Sequence, residues 1–141
     1  MREFTTRRKI EFADTDMGGI VHFARYVVFM ETAEHEFLAE LGTSVVSEHE
    51  GRPVGWPRVA LSVEYRSPAR FGDTLDIGVQ VARKGTTSMT YRFAFRCDGR
   101  EVASGEMTSV CCMLEPDRAP RPIEIPAALA ARLDGAGDVE G

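Results

Sequence analysis

Asp14-Thr15-Asp16-Met17-Gly18-Gly19 packs two carboxylates and two glycines into one short stretch. Its Asp and Gly content marks a loop, and it runs directly into a helical pattern. Glycine lets a ligand approach the backbone closely. A carboxylate here stands beside the free N–H groups and positive end of a helix N-terminus. Taken alone, the pattern also fits a plain structural arrangement, with one Asp capping the helix and the other in solvent.

The other reactive residue types form no comparable grouping. His35 and His49 have no acidic or Cys partner at metal-ligand spacing, so no metal site is expected. Cys97, Cys111 and Cys112 show no CxxC spacing, and three thiols cannot build a disulfide framework. Cys111 and Cys112 read as reduced core thiols pointing to opposite sides of a strand. Ser44, Ser47 and Ser62 lack the Gly-x-Ser-x-Gly elbow of a serine hydrolase.

Two elements must hold the Asp-rich loop. Before it, Phe4 to Phe12 alternates, and the last part reads as a strand with one wet face. After it, from Phe23 to Leu41, Tyr26, Met30, Ala33, Phe37 and Leu41 recur at steps of three and four, one stripe of a helix. Val27 and Leu38 widen that stripe, while Glu31, Glu34, Glu36 and Glu40 lie mostly off it. Gly42 suits the position just past the helix end. At about 19 residues this helix exceeds the usual 11–12, which marks a central element.

Residues 43–57 carry Gly51, Pro53, Gly55 and Pro57 and predict an irregular connection. Four strand segments follow, Val59–Tyr65, Leu75–Val81 and Met89–Phe95 by alternation and a last one over Val102–Leu114. Asp98-Gly99 is a strong two-residue hairpin signal. With turns this short, the four segments are expected to be antiparallel neighbours. The last keeps no single parity, so it is buried on both faces or bulged. Ala127–Leu133 predicts a short helix opening near Pro126. Asp134–Gly141 is acidic and Gly-rich and predicts a flexible tail, leaving one domain over 1–133. A long helix on a curved antiparallel sheet is an α+β fold.

The 141 residues suffice for a single buried core. A net charge of −5, with Arg7-Arg8-Lys9 as the one basic run, argues against a nucleic-acid partner, which needs a basic face. The apolar runs fall far short of the roughly 20 residues of a membrane span. No apolar core follows the charged N-terminus as in a secretory signal, so the cytoplasm is the expected compartment.

Phe12-Ala13-Asp14-Thr15-Asp16-Met17-Gly18-Gly19-Ile20-Val21-His22-Phe23-Ala24-Arg25-Tyr26, followed by Phe29-Met30-Glu31-Thr32-Ala33, resembles the hotdog-fold acyl-CoA thioesterases of the 4-hydroxybenzoyl-CoA thioesterase family. The likeness continues through Arg66-Ser67-Pro68-Ala69-Arg70-Phe71-Gly72-Asp73 and reaches Ile125-Pro126. It implies one long central helix wrapped by a curved five-stranded antiparallel sheet, assembled as a homodimer or tetramer. It implies Asp16 as the catalytic carboxylate, nucleophile or general base, with the backbone N–H of Phe23 polarising the thioester carbonyl. The chemistry agrees: hydrolysis needs a nucleophile or base at the carbonyl carbon and donors aimed at its oxygen, which a helix N-terminus supplies.

By the same resemblance Asp14 turns the loop, and Gly19, His22, Tyr26, Glu31 and Trp56 fall at substrate-binding positions. His22 and Arg25 depart from the family pattern, which bears on substrate identity rather than reaction type. Arg83 and Lys84, then Arg70, are the candidates for the CoA phosphates, since an acidic protein must concentrate cations beside the cleft. No bound cofactor is expected, because a thioester is already activated. The alternatives are a thioesterase acting on acyl carrier protein, and a non-catalytic hotdog domain that senses acyl-CoA. The carboxylate of Asp16 favours catalysis, since a pure binder has no need of it.

Overall fold

The computed structural model describes residues 3–137. In chain order its elements are β1 (Phe4–Lys9), a 3₁₀ turn (Phe12–Asp14), α1 (Arg25–Glu40), β2 (Ser47–His49), β3 (Arg52–Gly55), β4 (Arg58–Tyr65), β5 (Thr74–Lys84), β6 (Ser88–Cys97), β7 (Arg100–Val110), β8 (Cys112–Met113), β9 (Arg121–Pro122) and α2 (Ala127–Gly137). They form two sheets, ordered β1-β5-β6-β7-β4 and β2-β3-β8-β9, and all paired strands are antiparallel. The architecture is therefore two helices and two sheets, not one long helix on a single five-stranded sheet.

Alternation explains the larger sheet. Leu75, Ile77, Val79 and Val81 of β5 and Met89, Tyr91, Phe93 and Phe95 of β6 are all buried. The opposite face is wet and carries ion pairs such as Arg92–Glu106 at 3.2 Å. Across the buried face runs α1, sealed by Phe29, Met30, Ala33, Phe37 and Leu38. Each large apolar side chain there contributes about 1.5–3 kcal/mol by leaving water. The helix passes close over β7, where Gly105 leaves room: a Cβ at that position would stand 2.9 Å from the Met30 methyl carbon.

Several expectations are corrected. The helix is 16 residues long, and the strand before the Asp-rich loop ends at Lys9. Residues 43–57 are not irregular: Glu50 and Gly51 both take positive φ (54° and 77°), closing a β2–β3 hairpin. The strand expected over Val102–Leu114 breaks at Cys111, after which the chain joins the second sheet. Both Cys111 and Cys112 are buried. Residues 134–137 belong to α2 rather than to a flexible tail; 138–141, assigned to the same tail, lie outside the described residues. Glu34 is buried at 1% exposure, although the helical stripe omitted it.

The most consequential correction concerns β4. It pairs with β7 at the far edge of the sheet, not with β5, its neighbour in sequence. The link over 66–73 therefore crosses one whole end of the sheet. It starts against β7, where the N–H groups of Arg66 and Ser67 donate to Val102 O, and finishes beside β1, where Gly72 N–H donates to Ile10 O. At the other end of the molecule, Arg132 of α2 donates to the carbonyls of Leu41 and Gly42, each at 2.9 Å. It satisfies free carbonyls at the end of α1, whose own last turn has no basic residue.

Candidate active site

The Asp-rich loop is anchored on that crossing link. Val21 N–H donates to Ala69 O at 2.8 Å, and Ile20 bridges Arg70 while Thr15 bridges Val21. Within the loop, Asp16 N–H donates to Ile20 O at 2.9 Å, and Gly19 takes φ +80°, a conformation that side chains oppose. The two aspartates take opposite roles. Asp14 is fully buried: its Oδ2 accepts the Glu11 N–H at 2.8 Å, and its Oδ1 meets Arg25 Nη2 at 2.8 Å and Arg8 Nη2 at 3.5 Å. Asp16 is exposed, and its Oδ1 accepts the Gly18 N–H at 2.8 Å.

The turn entering α1 has no side-chain cap in the usual sense, since Ala24 occupies the N-cap. Instead His22 Nδ1 accepts the Ala24 N–H at 3.1 Å. The ring stacks on Phe23 at 4.7 Å. Among the described residues no acceptor pairs with the N–H of Phe23, which remains a free donor. The Tyr65 hydroxyl donates to the Phe23 carbonyl at 2.9 Å. Tyr26 packs edge-on against both Tyr65 and Phe95; burial, chiefly, pushes its hydroxyl up to about 12.

The structure thus gathers Asp16, Gly19, His22, Phe23 and Tyr26 at one end of the sheet, with Arg70 alongside: a Cβ on Gly19 would lie 4.0 Å from Arg70 Nη1. Glu31 lies farther along α1, on the wall of a cavity facing β4. The remaining expected residues do not join them. Trp56 sits in the β3–β4 link, partly buried against the core. Arg83 and Lys84 close the other end of β5, roughly 30 Å away at 3.3 Å per residue. There they pair with Glu106 at 3.7 Å and Asp134 at 3.2 Å.

Two residues near the cavity escaped the sequence reading. Arg58 grips Glu34 with two hydrogen bonds, of 2.8 and 2.6 Å. The alternation of β4 would turn Arg58 outward, but the pairing register shifts between Arg58 and Ala60, and such a bulge re-aims a side chain. Glu34 did leave a signal, since it falls four residues after Met30 on the buried stripe.

Known proteins bear on this arrangement. Residues 10–133 match the thioesterase-like superfamily. The chain is 26% identical over 136 residues to the 1,4-dihydroxy-2-naphthoyl-CoA hydrolase of Thermosynechococcus vestitus, covering 95% of this chain and 93% of that one. It is 34% identical over 83 residues to the acyl-CoA thioester hydrolase YbgC of Escherichia coli, covering 59% and 61%. The solved structure of the BH1999 gentisyl-coenzyme A thioesterase superposes with a TM-score of 0.80 at 28% identity, over 92% and 99% of the two chains. The chain belongs to the thioesterase-like superfamily, and its fold is the mixed α+β hotdog. Its activity is that of a thioester hydrolase.

Proposed function

We propose that this hydrolase cleaves acyl-CoA thioesters, using Asp16 as nucleophile or general base and the N–H of Phe23 as the donor to the carbonyl oxygen. One observation carries the assignment: an exposed carboxylate and an unpaired N–H at the start of α1 flank the same anchored loop. The thioester carbonyl binds with its oxygen toward Phe23, where the helix terminus stabilises the charge that develops. Either Asp16 attacks the carbon, CoA leaves as thiolate and takes up a proton, and water hydrolyses the resulting anhydride, or Asp16 deprotonates the attacking water. Both routes yield the free acid and CoA. The relatives named for acyl-CoA, dihydroxynaphthoyl-CoA and gentisyl-CoA support this substrate class.

Asp14 and Arg25 hold the loop, and Gly19 permits close approach of the substrate. His22, Tyr26 and Glu31 line the path of the acyl group. Because Asp16 and Phe23 lie open in a single chain, a second copy completes the site in a homo-oligomer. Arg83 and Lys84 reach the CoA phosphates only from that second copy. Among the described residues no helix is long and apolar enough to cross a membrane, and we take the cytoplasm as the compartment.

The test is release of free thiol from a panel of aliphatic and aromatic acyl-CoAs, with acyl carrier protein donors in parallel. Asp16→Asn preserves the acceptor for the Gly18 N–H, so the loop stays folded, and turnover falls at least about 100-fold. Near wild-type turnover removes Asp16 from the mechanism. Tight binding without any hydrolysis identifies a sensor, and hydrolysis confined to the carrier protein reassigns the substrate.

A further inference from the structure

Between α1 and β4 lies a cavity of about 130 Å³, lined by Val27, Val28, Glu31, Arg58, Leu61 and Met107. That volume is close to the roughly 150 Å³ of an apolar cavity that accepts one benzene ring. It continues the site, because Val27 and Glu31 follow Phe23 by about one and two helical turns, roughly 6 and 12 Å at 1.5 Å per residue. An acyl group whose carbonyl oxygen meets the Phe23 N–H therefore extends along α1 into this space, with its far end toward Glu31 and Arg58.

The charges there do not balance. Arg58 is matched by the carboxylate of Glu34, itself 1% exposed, through the two hydrogen bonds between them. Glu31 has no cation within ion-pair distance among the described residues. One cation and two carboxylates leave the cavity end with a net negative charge, although three donors of the Arg58 guanidinium remain for an uncharged oxygen.

Resting on the thioesterase reading above, we propose that Glu31 is a specificity-determining residue: with Arg58 neutralised by Glu34, it makes the cavity admit uncharged acyl groups and reject those ending in a second carboxylate. An incoming carboxylate meets the unpaired negative charge of Glu31, and their repulsion, screened by solvent at this exposed position, disfavours it against an uncharged group. An uncharged group of the same length meets the apolar walls and keeps them dry.

Matched ester pairs test this: benzoyl-CoA against 4-carboxybenzoyl-CoA, and hexanoyl-CoA against adipoyl-CoA. The readout is the ratio of kcat/KM within each pair. Wild type favours the uncharged member about three- to fivefold, the scale of an interaction with one exposed charge. Glu31→Gln brings that ratio close to one, and Glu31→Lys inverts it. The site is exposed, so both variants fold. Ratios that stay the same in all three proteins overturn the filter and leave the thioesterase reading standing. Failure of wild type to hydrolyse benzoyl-CoA or hexanoyl-CoA overturns the filter, whereas only failure across the whole acyl-CoA panel overturns the thioesterase reading.

Discussion

The hydroxyl of Tyr65 donates a 2.9 Å hydrogen bond to the carbonyl oxygen of Phe23, tying the edge strand to the turn that opens α1. The bond fixes the peptide immediately after the N–H assigned to the thioester oxygen. It also explains why β4 matters to a site built on a distant part of the sequence.

Tyr65→Phe retains the ring packing against Tyr26 and removes only this bond. One hydrogen bond of ordinary strength is worth about 0.5–1.5 kcal/mol, so kcat should fall roughly 2- to 10-fold with little change in KM. Steady-state kinetics on any accepted acyl-CoA decides it. A change confined to KM shows that Tyr65 touches substrate instead of positioning Phe23.

Asp14→Asn should cost stability rather than specific chemistry. The buried carboxylate pairs with Arg25 and Arg8, whose side chains remain 35% and 26% exposed. Breaking a fully buried pair costs 3–5 kcal/mol; solvent on the arginine side reduces this to about 2–3 kcal/mol. Urea denaturation measures the loss, and a shift below about 0.5 kcal/mol contradicts the anchoring role.

Stability should decline in alkali. Burial raises the Cys111 thiol from 9.0 to about 11 and the Tyr26 hydroxyl from 10.0 to about 12. In both, the folded chain keeps a proton that the unfolded chain has lost. The contribution is whole below pH 9 and is lost as pH rises through 9–11 for the thiol and 10–12 for the phenol, about 2–3 kcal/mol each. Tyr26→Phe should flatten the upper part of the curve. A wild-type curve level from pH 9 to 11.5 contradicts the burial argument.

The free edge of the large sheet predicts association. Val59, Leu61 and Tyr65 of β4 are 61%, 48% and 50% exposed, an apolar edge strand that proteins normally cover. Sedimentation at micromolar concentration should give a dimer or larger, and Val59→Asp should shift it toward the 15.6 kDa monomer with parallel loss of activity. A wild-type monomer retaining full turnover rules out a site completed by a second copy.

Much of this was written in local pattern. The stripe through Tyr26, Met30, Ala33 and Phe37 yields α1, and alternation yields β5 and β6, because each face meets one environment. The Asp-Thr-Asp-Met-Gly-Gly string located the loop for the same reason: turn chemistry is local. What stayed hidden depends on partners far along the chain. The placement of β4 beside β7 is decided by the route of 66–73 across the sheet end, and Arg58 reaches Glu34 only through a bulge that breaks the alternation. Sequence shows the charge of Arg83 and Lys84 but not which end of a strand they occupy, so their distance from the Asp-rich loop of the same chain was not legible.

The crossing link has a consequence for how the chain is made. Asp16, Phe23 and the whole of α1 are translated ahead of most of what holds them, although Arg8 and Phe4 of β1 already precede them as partners of Asp14 and Phe37. Val21 waits for Ala69, Thr6 for Ile77, and the carbonyl of Leu41 for Arg132. Contacts this distant in sequence close slowly. Until β5 to β7 exist, most of the apolar stripe of α1 lacks the surface that covers it, so α1 is the stretch most prone to aggregate during synthesis. The loop that carries Asp16 is thus translated ahead of the strands and link that finally anchor it.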